Sequence, residues 1–389
     1  MAVINRIAEF HDDMTAWRRD IHAHPETAFE EVRTADTVAA LLQDFGMEVH
    51  RGLATTGVVG TLKAGSGSRS IGLRADMDAL HIHEKNSFDH RSVNDGKMHA
   101  CGHDGHTTML LGAARYLAET RNFDGTIHFI FQPAEENEGG GRVMVEEGLF
   151  EQFPCDAVYG MHNAPGIEVG RFAVREGPFL AAFDIFEITV TGVGTHAAMP
   201  DRGIDPMIPA AQIVTALQTI PSRRVSPLSS AVVSVTQIHG GDTWNVIPDH
   251  VVLRGTCRWF DKTVRDLLEP AMRQIADGIA AAHRCTASLR YERRYPATVN
   301  APAETAFAAG VAEALVGPEH VDRNFEPDMG SEDFAFMLEA RPGCYILIGN
   351  GPEEGGCLLH NPRYDFNDAV LPLGASYWAR LAEAALARE

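Results

Sequence analysis

Hydrophobic positions in the first part of the chain follow two alternating spacings. Apolar residues three and four apart predict helices over residues 34–45, 104–120 and 142–150. Short apolar runs predict strands over residues 57–63, 70–75, 125–131 and 157–161. Strands that alternate with helices are typical of a sheet covered by helices on both faces. This part of the sequence therefore predicts an α/β domain.

From about residue 183 the order of the predicted elements changes. A strand, a helix, two strands, a helix and a strand follow at 183–192, 206–220, 231–240, 250–260, 263–283 and 286–295. The order βαββαβ is that of a ferredoxin-like unit. After residue 300 the α/β pattern resumes, with helices at 303–315 and 331–340, a strand at 344–349 and a helix from about 372. We predict a catalytic domain of residues 1–182 and 298–389, with a lid domain of residues 183–297 inserted into it.

Composition narrows the choice of partner and location. The chain has 33 basic and 53 acidic side chains and a formal charge of -20, which argues against nucleic acid or an anionic membrane as a partner. No apolar run approaches the roughly 18 residues that a membrane helix needs, and the N-terminus lacks the apolar core of a signal peptide. The 6 cysteines are scattered without a CxxC pair, so we expect reduced thiols in a cytoplasmic protein.

Side chains that bind metals recur at or near the ends of the predicted strands. The stretch HACGHDGH, residues 99–106, stands just before a helix. Other such residues follow four strands: Asp76 and Asp78, Glu135 and Glu136, His162, and His360. In an open α/β sheet, ligands bind outside the carboxyl ends of the strands. Each cluster alone has a simpler explanation as a cap or a polar turn, but their recurrence at one edge favours a shared site.

Cysteine, histidine and carboxylate together are the ligands of zinc and similar divalent ions. Their number exceeds one tetrahedral site, so the natural hypothesis is two metals that share a bridging ligand. One glutamate of the adjacent pair would ligate, and the other would accept a proton from water. A competing hypothesis makes Cys101 a nucleophile with a neighbouring histidine as its base, but it leaves the glutamates, His162 and His360 without a role.

Several motifs occur in an order that resembles the M20 metallopeptidase family. They are RRDIHAHPETAFEE (18–31), RADMDAL (74–80), MHACGHDGHTTMLLGAA (98–114), FQPAEE (131–136), GMHN (160–163), GTHAAMP (194–200), NVIPD (245–249) and MGSEDFAFM (329–337). The resemblance covers essentially the whole chain and is strongest to the branch of amidohydrolases that act on hippurate and on indole-acetyl amino acids.

The resemblance implies a catalytic domain with two divalent metals and a lid domain that forms a homodimer in many members. Zn²⁺ or Mn²⁺ is expected, with Ni²⁺ or Co²⁺ as alternatives. The residues that match the family's ligands are Cys101, His103, Glu136, His162 and His360. Glu135 matches the general base, and Asp78 matches a carboxylate that orients a ligand histidine. The roles of Asp76, of His106 and of the departure His81-Ile82-His83 stay open.

Three residues of the predicted lid domain are candidates for contact with the substrate. By resemblance, His196 would reach the site of the other subunit and stabilise the developing oxyanion. Asn245 would hold the substrate carboxylate or carbonyl. Arg258 is a candidate on chemical grounds, because guanidinium binds carboxylate in a bidentate manner.

These observations predict a metal-dependent amidohydrolase that cleaves the amide bond of an N-acyl amino acid. A dipeptidase or aminoacylase with the same machinery is an alternative, because the residues that line the acyl pocket cannot be placed from the sequence. A non-catalytic metal-binding relative is a further alternative, which the intact Glu135 disfavours.

Overall fold

The computed structural model describes residues 3–136, 138–352 and 356–388. The chain forms two compact units. The larger unit comprises Met1–Phe179, Thr298–Pro327 and Asp333–Glu389, and the inserted unit comprises Leu180–Ala297 and Asp328–Glu332. The segment Asp328–Glu332, which the sequence prediction assigned to the catalytic domain, groups with the inserted unit.

The described strands range from two to ten residues in length. They are β1 (Glu48–Leu53), β2 (Gly57–Ala64), β3 (Ser70–Asp76), β4 (Gly125–Gln132), β5 (Ala157–Pro165), β6 (Phe172–Ala173), β7 (Gly177–Leu180), β8 (Ala182–Thr191), β9 (Thr195–His196), β10 (Ala231–His239), β11 (Val246–Ile247), β12 (His250–Trp259), β13 (Thr286–Tyr295), β14 (Thr298–Asn300), β15 (Val321–Asp322) and β16 (Gly343–Gly351).

The described α-helices lie mostly in the larger unit. They are α1 (Asn5–Ala8), α2 (His11–Ala23), α3 (Val32–Asp44), α4 (His103–Thr120), α5 (Gly140–Glu146), α6 (Leu149–Gln152), α7 (Met207–Leu217), α8 (Lys262–Ala282), α9 (Pro302–Val316), α10 (Phe334–Ala340) and α11 (Leu371–Ala385). None of these helices is long and apolar enough to cross a bilayer.

The larger unit is built on an eight-stranded mixed sheet in the order β1-β2-β4-β3-β5-β16-β6-β15. Strands β4, β3, β5 and β16 are neighbours and are mutually parallel. In β3, alternate residues Ile71, Leu73 and Ala75 join the main hydrophobic core. Arg74 points to the opposite face, where it pairs with Asp333 at the start of α10. Both faces are therefore covered, as the α/β pattern predicted.

The inserted unit contains a four-stranded antiparallel sheet in the order β10-β12-β8-β13. In β8, alternate residues are buried, including Phe186, Ile188 and Val190, and they share a core with Ile213 of α7 and Leu268 of α8. The two helices thus cover one face of the sheet. This arrangement confirms the predicted ferredoxin-like order βαββαβ.

Three predicted elements differ from those observed. The helix expected over 142–150 is interrupted at Gly148, whose φ of 89° is left-handed, so α5 and α6 are separate helices. The helix expected over 331–340 begins only at Phe334. The strand expected to end at residue 161 continues as β5 to Pro165, which places His162 inside a strand and not after one.

Candidate metal centre

The carboxyl ends of the parallel strands β3, β4, β5 and β16 lie at one edge of the large sheet. Asp76 is the last residue of β3, and Glu135 and Glu136 follow β4. His162 lies in the carboxyl-terminal half of β5, and His360 stands in the chain that follows β16. The topology therefore brings together residues that are far apart in sequence.

A tight turn joins Cys101 to α4, which begins at His103. Gly102 occupies the left-handed region, with φ of 97°, and an added Cβ would lie 2.2 Å from the side-chain oxygen of Asn163. Only glycine fits this position. The turn lets Cys101 and His103 both face the sheet edge, where Cys101 Sγ lies 3.4 Å from His162 Nε2.

Donor atoms form groups in which all ligand atoms lie within 4.8 Å of one another. Cys101 belongs to two of them, one with His103 and His162 and one with Glu136 and His360. In the second group, His360 Nε2 lies 3.1 Å from Glu136 Oε1. The structure thus brings together the five residues that the resemblance implied as ligands, with the thiol common to both groups.

The residues present fit a divalent cation. His103 Nε2 is buried and has no hydrogen-bond partner among the described residues. Burial and the charge of Glu136 raise the pKa of the Cys101 thiol. A cation among these groups would satisfy the imidazole nitrogen and favour the thiolate.

Asp78 connects two members of the cluster. One carboxylate oxygen lies 3.2 Å from His103 Nδ1, and the other accepts the backbone N–H of Glu136 at 2.9 Å. A hydrogen bond to Nδ1 fixes the tautomer and leaves Nε2 available as a donor to a metal. On β5, His162 Nδ1 lies 2.7 Å from the carbonyl oxygen of Asn163, which leaves its Nε2 facing Cys101. Both imidazoles are therefore oriented for ligation.

Asp76 and His106 form a buried pair beside the cluster. His106 Nδ1 lies 2.6 Å from Asp76 Oδ1, and His106 Nε2 lies 2.7 Å from Asn163 Oδ1. Asp76 also accepts a hydrogen bond from Arg74 at 2.7 Å. Burial disfavours the ionised Asp76 carboxyl, but the charges of His103 and Arg74 outweigh this and hold its pKa well below its usual range. Both nitrogens of His106 are occupied by protein groups, which makes it a supporting residue.

His22, for which the sequence suggested no function, supports the start of α4. Its side chain is buried, with Nδ1 2.9 Å from Asp104 Oδ2 and Nε2 3.3 Å from Glu84 Oε1. Arg18, one turn earlier on α2, lies 3.3 Å from the same Asp104 oxygen. The sequence does contain one indication of this contact. Arg18 and His22 are four residues apart, a spacing that places two side chains on the same face of a helix. Their partner, next to His103, could not be identified from spacing.

The predicted substrate-binding residues lie in the inserted unit. His196 on β9 pairs with Val246 on β11, and the carbonyl of Asn245 accepts the N–H of Ala197 at 2.9 Å, so His196 and Asn245 are neighbours. Both side chains are exposed. Arg258 lies on β12 of the four-stranded sheet and donates to Ser331 at 2.7 Å. Burial lowers the pKa of Arg258.

The fold and the donor cluster are those of an α/β metalloenzyme, and comparisons with known proteins identify it as a metal-dependent amidohydrolase. Peptidase family M20/M25/M40 matches residues 72–384. Hippurate hydrolase of Campylobacter jejuni is 41% identical over 382 residues, which span 98% of this chain and 99% of that protein. IAA-amino acid hydrolase ILR1-like 2 of Arabidopsis thaliana is 41% identical over 380 residues, which span 96% of this chain and 85% of that protein.

A solved structure extends the agreement to three dimensions. The YXEP protein of Bacillus subtilis, a dinuclear metal binding peptidase from the M20 family, is 35% identical and has a TM-score of 0.85, covering 97% of this chain and 99% of that one. The chain therefore belongs to peptidase family M20/M25/M40, as its motifs suggested.

Proposed function

We propose that this enzyme hydrolyses the amide bond of N-acyl amino acids of the hippurate or indole-acetyl type. The observation that carries the proposal is the cluster of Cys101, His103, Glu136, His162 and His360, with Glu135 beside it, in which Cys101 and His103 are buried and His360 is exposed. Relatives named for hippurate and for IAA-amino acid hydrolysis, at 41% identity over nearly the whole chain, support this substrate class.

Two divalent cations would be held by these five residues, among which Cys101 is common to both groups of donor atoms. Zn²⁺ or Mn²⁺ suits the mixed sulfur, nitrogen and oxygen donors, and Ni²⁺ or Co²⁺ are alternatives. When bound, the ions would polarise the scissile carbonyl and lower the pKa of water toward about 7. The dinuclear relative supports the number of ions.

Glu135 acts as the general base. It is buried to 7% exposure and has a carboxylate oxygen in one group with donor atoms of His103 and Glu136. From this position it accepts a proton from the attacking water and delivers it to the leaving amide nitrogen. Its neighbour Glu136 faces His360. Glu135 therefore transfers the proton, and Glu136 is a metal ligand.

Substrate contacts come from the inserted unit. Arg258 or Asn245 binds the substrate carboxylate, or Asn245 binds its carbonyl, and His196 stabilises the oxyanion in the site of the other subunit. The half-buried Arg258 guanidinium stacks over the Phe183 ring at 4.4 Å, which fixes its direction and leaves a cation suited to a carboxylate.

We also propose a homodimer formed through the inserted unit. Trp244 is fully exposed and Val246 is half exposed, and they flank Asn245. Large exposed apolar side chains mark interaction surfaces. Sedimentation of the wild type and of Trp244→Ser tests this: a dimer that the substitution weakens is expected, and a monomeric wild type would refute it.

A cytoplasmic location is proposed on the state of the cysteines. All six are free, and five are buried, although 389 residues offer ample opportunity for pairing. Measurement of the enzyme in cell fractions tests this, and activity confined to a secreted fraction would refute it.

The decisive experiment compares two adjacent substitutions. Glu135→Gln should retain bound metal and lower kcat by about 10²–10⁴-fold, the usual size of a general-base contribution. Glu136→Gln, the matched control, should lower metal content. Assays use hippurate, N-acetyl amino acids, indole-acetyl conjugates and dipeptides with Zn²⁺ or Mn²⁺. Near-full activity of Glu135→Gln would disprove the role of the base, and preference for dipeptides would favour the dipeptidase alternative.

A further inference from the structure

The backbone on both sides of Glu135 is held by carboxylates from distant parts of the chain. The N–H of Ala134 donates to Glu31 Oε1 at 2.9 Å, and the N–H of Glu136 donates to Asp78 Oδ2 at 2.9 Å. The carbonyl of Ala134 accepts the N–H of Gly140, also at 2.9 Å. The backbone from the amide of Ala134 to the amide of Glu136 is therefore held by three hydrogen bonds from separate parts of the chain.

Ala134 has a backbone conformation that needs such support. Its φ of 55° lies in the left-handed region, although it is not glycine. This conformation costs a non-glycine residue on the order of 1 kcal/mol and persists where the surroundings determine it. Since Ala134 immediately precedes Glu135, its conformation sets the direction in which the Glu135 side chain leaves the backbone.

Glu31 is well suited to hold this conformation. It is 0% exposed, and its second oxygen accepts the Thr56 hydroxyl at 2.7 Å. Both oxygens are thus occupied by neutral donors. Burial and the nearby charge of Asp78 raise the pKa of Glu31 to about 7. A buried carboxyl without a basic partner is costly, so a contribution beyond stability would explain its presence.

We propose that Glu31 is a positioning residue for the reaction, which fixes the direction of Glu135 by holding the amide of Ala134. The inference rests on the proposed role of Glu135 as general base. Glu31 touches neither the substrate nor the ligand cluster, and it acts only through the backbone.

The test begins with Glu31→Ala and Glu31→Gln. Glu31→Ala should lower kcat by about 10–100-fold, because a displacement of about 1 Å in a catalytic group has an effect of this order. KM should stay within about threefold and metal content should be unchanged, since neither ground-state binding nor ligation is altered. Glu31→Gln should restore kcat, because its amide oxygen accepts from Ala134 and its amide N–H donates to the Thr56 hydroxyl.

Two further variants separate positioning from general stability. Asp124→Ala is the control, because Asp124, like Glu31, holds backbone through a carboxylate: it accepts the amides of Ser66 and Gly67 at 2.7 and 2.6 Å, in a turn of the larger unit. It should lower the melting temperature and leave kcat unchanged. If Glu31→Ala does not fold, Glu31→Asp tests the same contact, because the shorter side chain withdraws the carboxylate from the Ala134 amide while it keeps the charge.

The double variant Glu31→Ala/Glu135→Gln shows whether the two residues act together. If Glu31 acts through Glu135, the substitution at Glu31 should cause no further loss of kcat once the base is absent. Full additivity, unchanged kcat in Glu31→Ala, or failure of Glu31→Gln to restore kcat would each overturn the inference. If Glu135→Gln is inactive, those results refute only the positioning role of Glu31, and the role of Glu135 as general base stands. If Glu135→Gln is active, the role of Glu135 is refuted, and the positioning role of Glu31 with it.

Discussion

Asp78 connects the metal cluster to the segment that carries both glutamates, so its replacement should weaken metal binding. Asp78→Asn keeps the size of the side chain but changes one oxygen to a donor group. The new NH2 group replaces one of two oxygens, depending on the orientation of the amide. One of these oxygens lies 3.2 Å from His103 Nδ1 and the other lies 2.9 Å from the backbone nitrogen of Glu136. In either orientation one ligand loses an acceptor and meets a donor.

The size of the effect follows from the contact that is lost. A hydrogen bond to a charged group contributes about 1.5–3 kcal/mol. Since about 1.4 kcal/mol corresponds to a tenfold change in affinity, the loss predicts a fall of roughly 10–100-fold. The same range is typical when a hydrogen-bond partner of a metal ligand is replaced.

Competition with a chromogenic chelator measures the dissociation constant for Zn²⁺ in the wild type and the variant. Asp95→Asn is the matched control, because Asp95 Oδ1 lies 3.0 Å from His83 Nδ1 in a pair that is largely exposed. This control should bind metal as the wild type does. Unchanged affinity in Asp78→Asn, with both variants folded, would refute the reasoning that Asp78 orients His103.

Two other predictions follow from particular residues. Cys101→Ala should lower metal content by about half or more, because the thiol belongs to both donor groups; elemental analysis that finds the wild-type amount would show that the thiol is not a ligand. His128→Gln should change how stability depends on pH. Burial lowers the pKa of His128 to about 4, so between about pH 6.5 and 4 the unfolded chain binds a proton that the folded chain does not. As the pH falls through that range, His128 should therefore contribute a loss of about 3 kcal/mol to the unfolding free energy of the wild type. Thermal unfolding measured across that pH range should show no such loss in the variant. If the unfolding free energy depends on pH equally in both proteins, His128 is not the cause of the loss.

Sequence patterns could predict most long elements because their burial follows simple periods. In β8 buried and partly exposed residues alternate along almost the entire strand, and the prediction of a strand there is confirmed. Helix α2 escaped prediction, because its buried face includes Arg18 and His22 beside Met14 and Ile21. A helix that buries charged side chains does not show the apolar spacing that is typical of an amphipathic helix.

The edge strand β1 was missed for a related reason. Of its residues Glu48–Leu53, only Leu53 is buried, so the strand has no alternation to detect. Its place in the sheet is set by backbone pairing with β2, from Glu48 opposite Thr61 to Leu53 opposite Gly57. Pairing of this kind depends on the partner strand and not on the local sequence.

For the cluster itself, the residues indicated the donor types and the resemblance indicated Asp78 as an orienting carboxylate, but nothing in the sequence indicated Glu31. The stretch HACGHDGH provides two of the five proposed ligands, Cys101 and His103. The groups that orient the ligands and the base come from Asp78 and Glu31, which lie 25 and 103 residues from the atoms they contact, at His103 and Ala134.

A donor type can be recognised in sequence, because chemistry limits which side chains bind a metal. An orienting carboxylate cannot be recognised from its residue type, because any acidic residue at the right place would serve; Asp78 was named only through the resemblance to a family, and Glu31 was not named at all. Glu31 illustrates this: in the sequence it is one of two adjacent glutamates, Glu30 and Glu31, that look equivalent. In the structure Glu30 pairs with Lys97 at the surface, while Glu31 is buried and holds the amide before the base. Substitution by alanine should therefore lower kcat at Glu31 and leave it unchanged at Glu30, which makes Glu30→Ala a local control for the positioning role of Glu31.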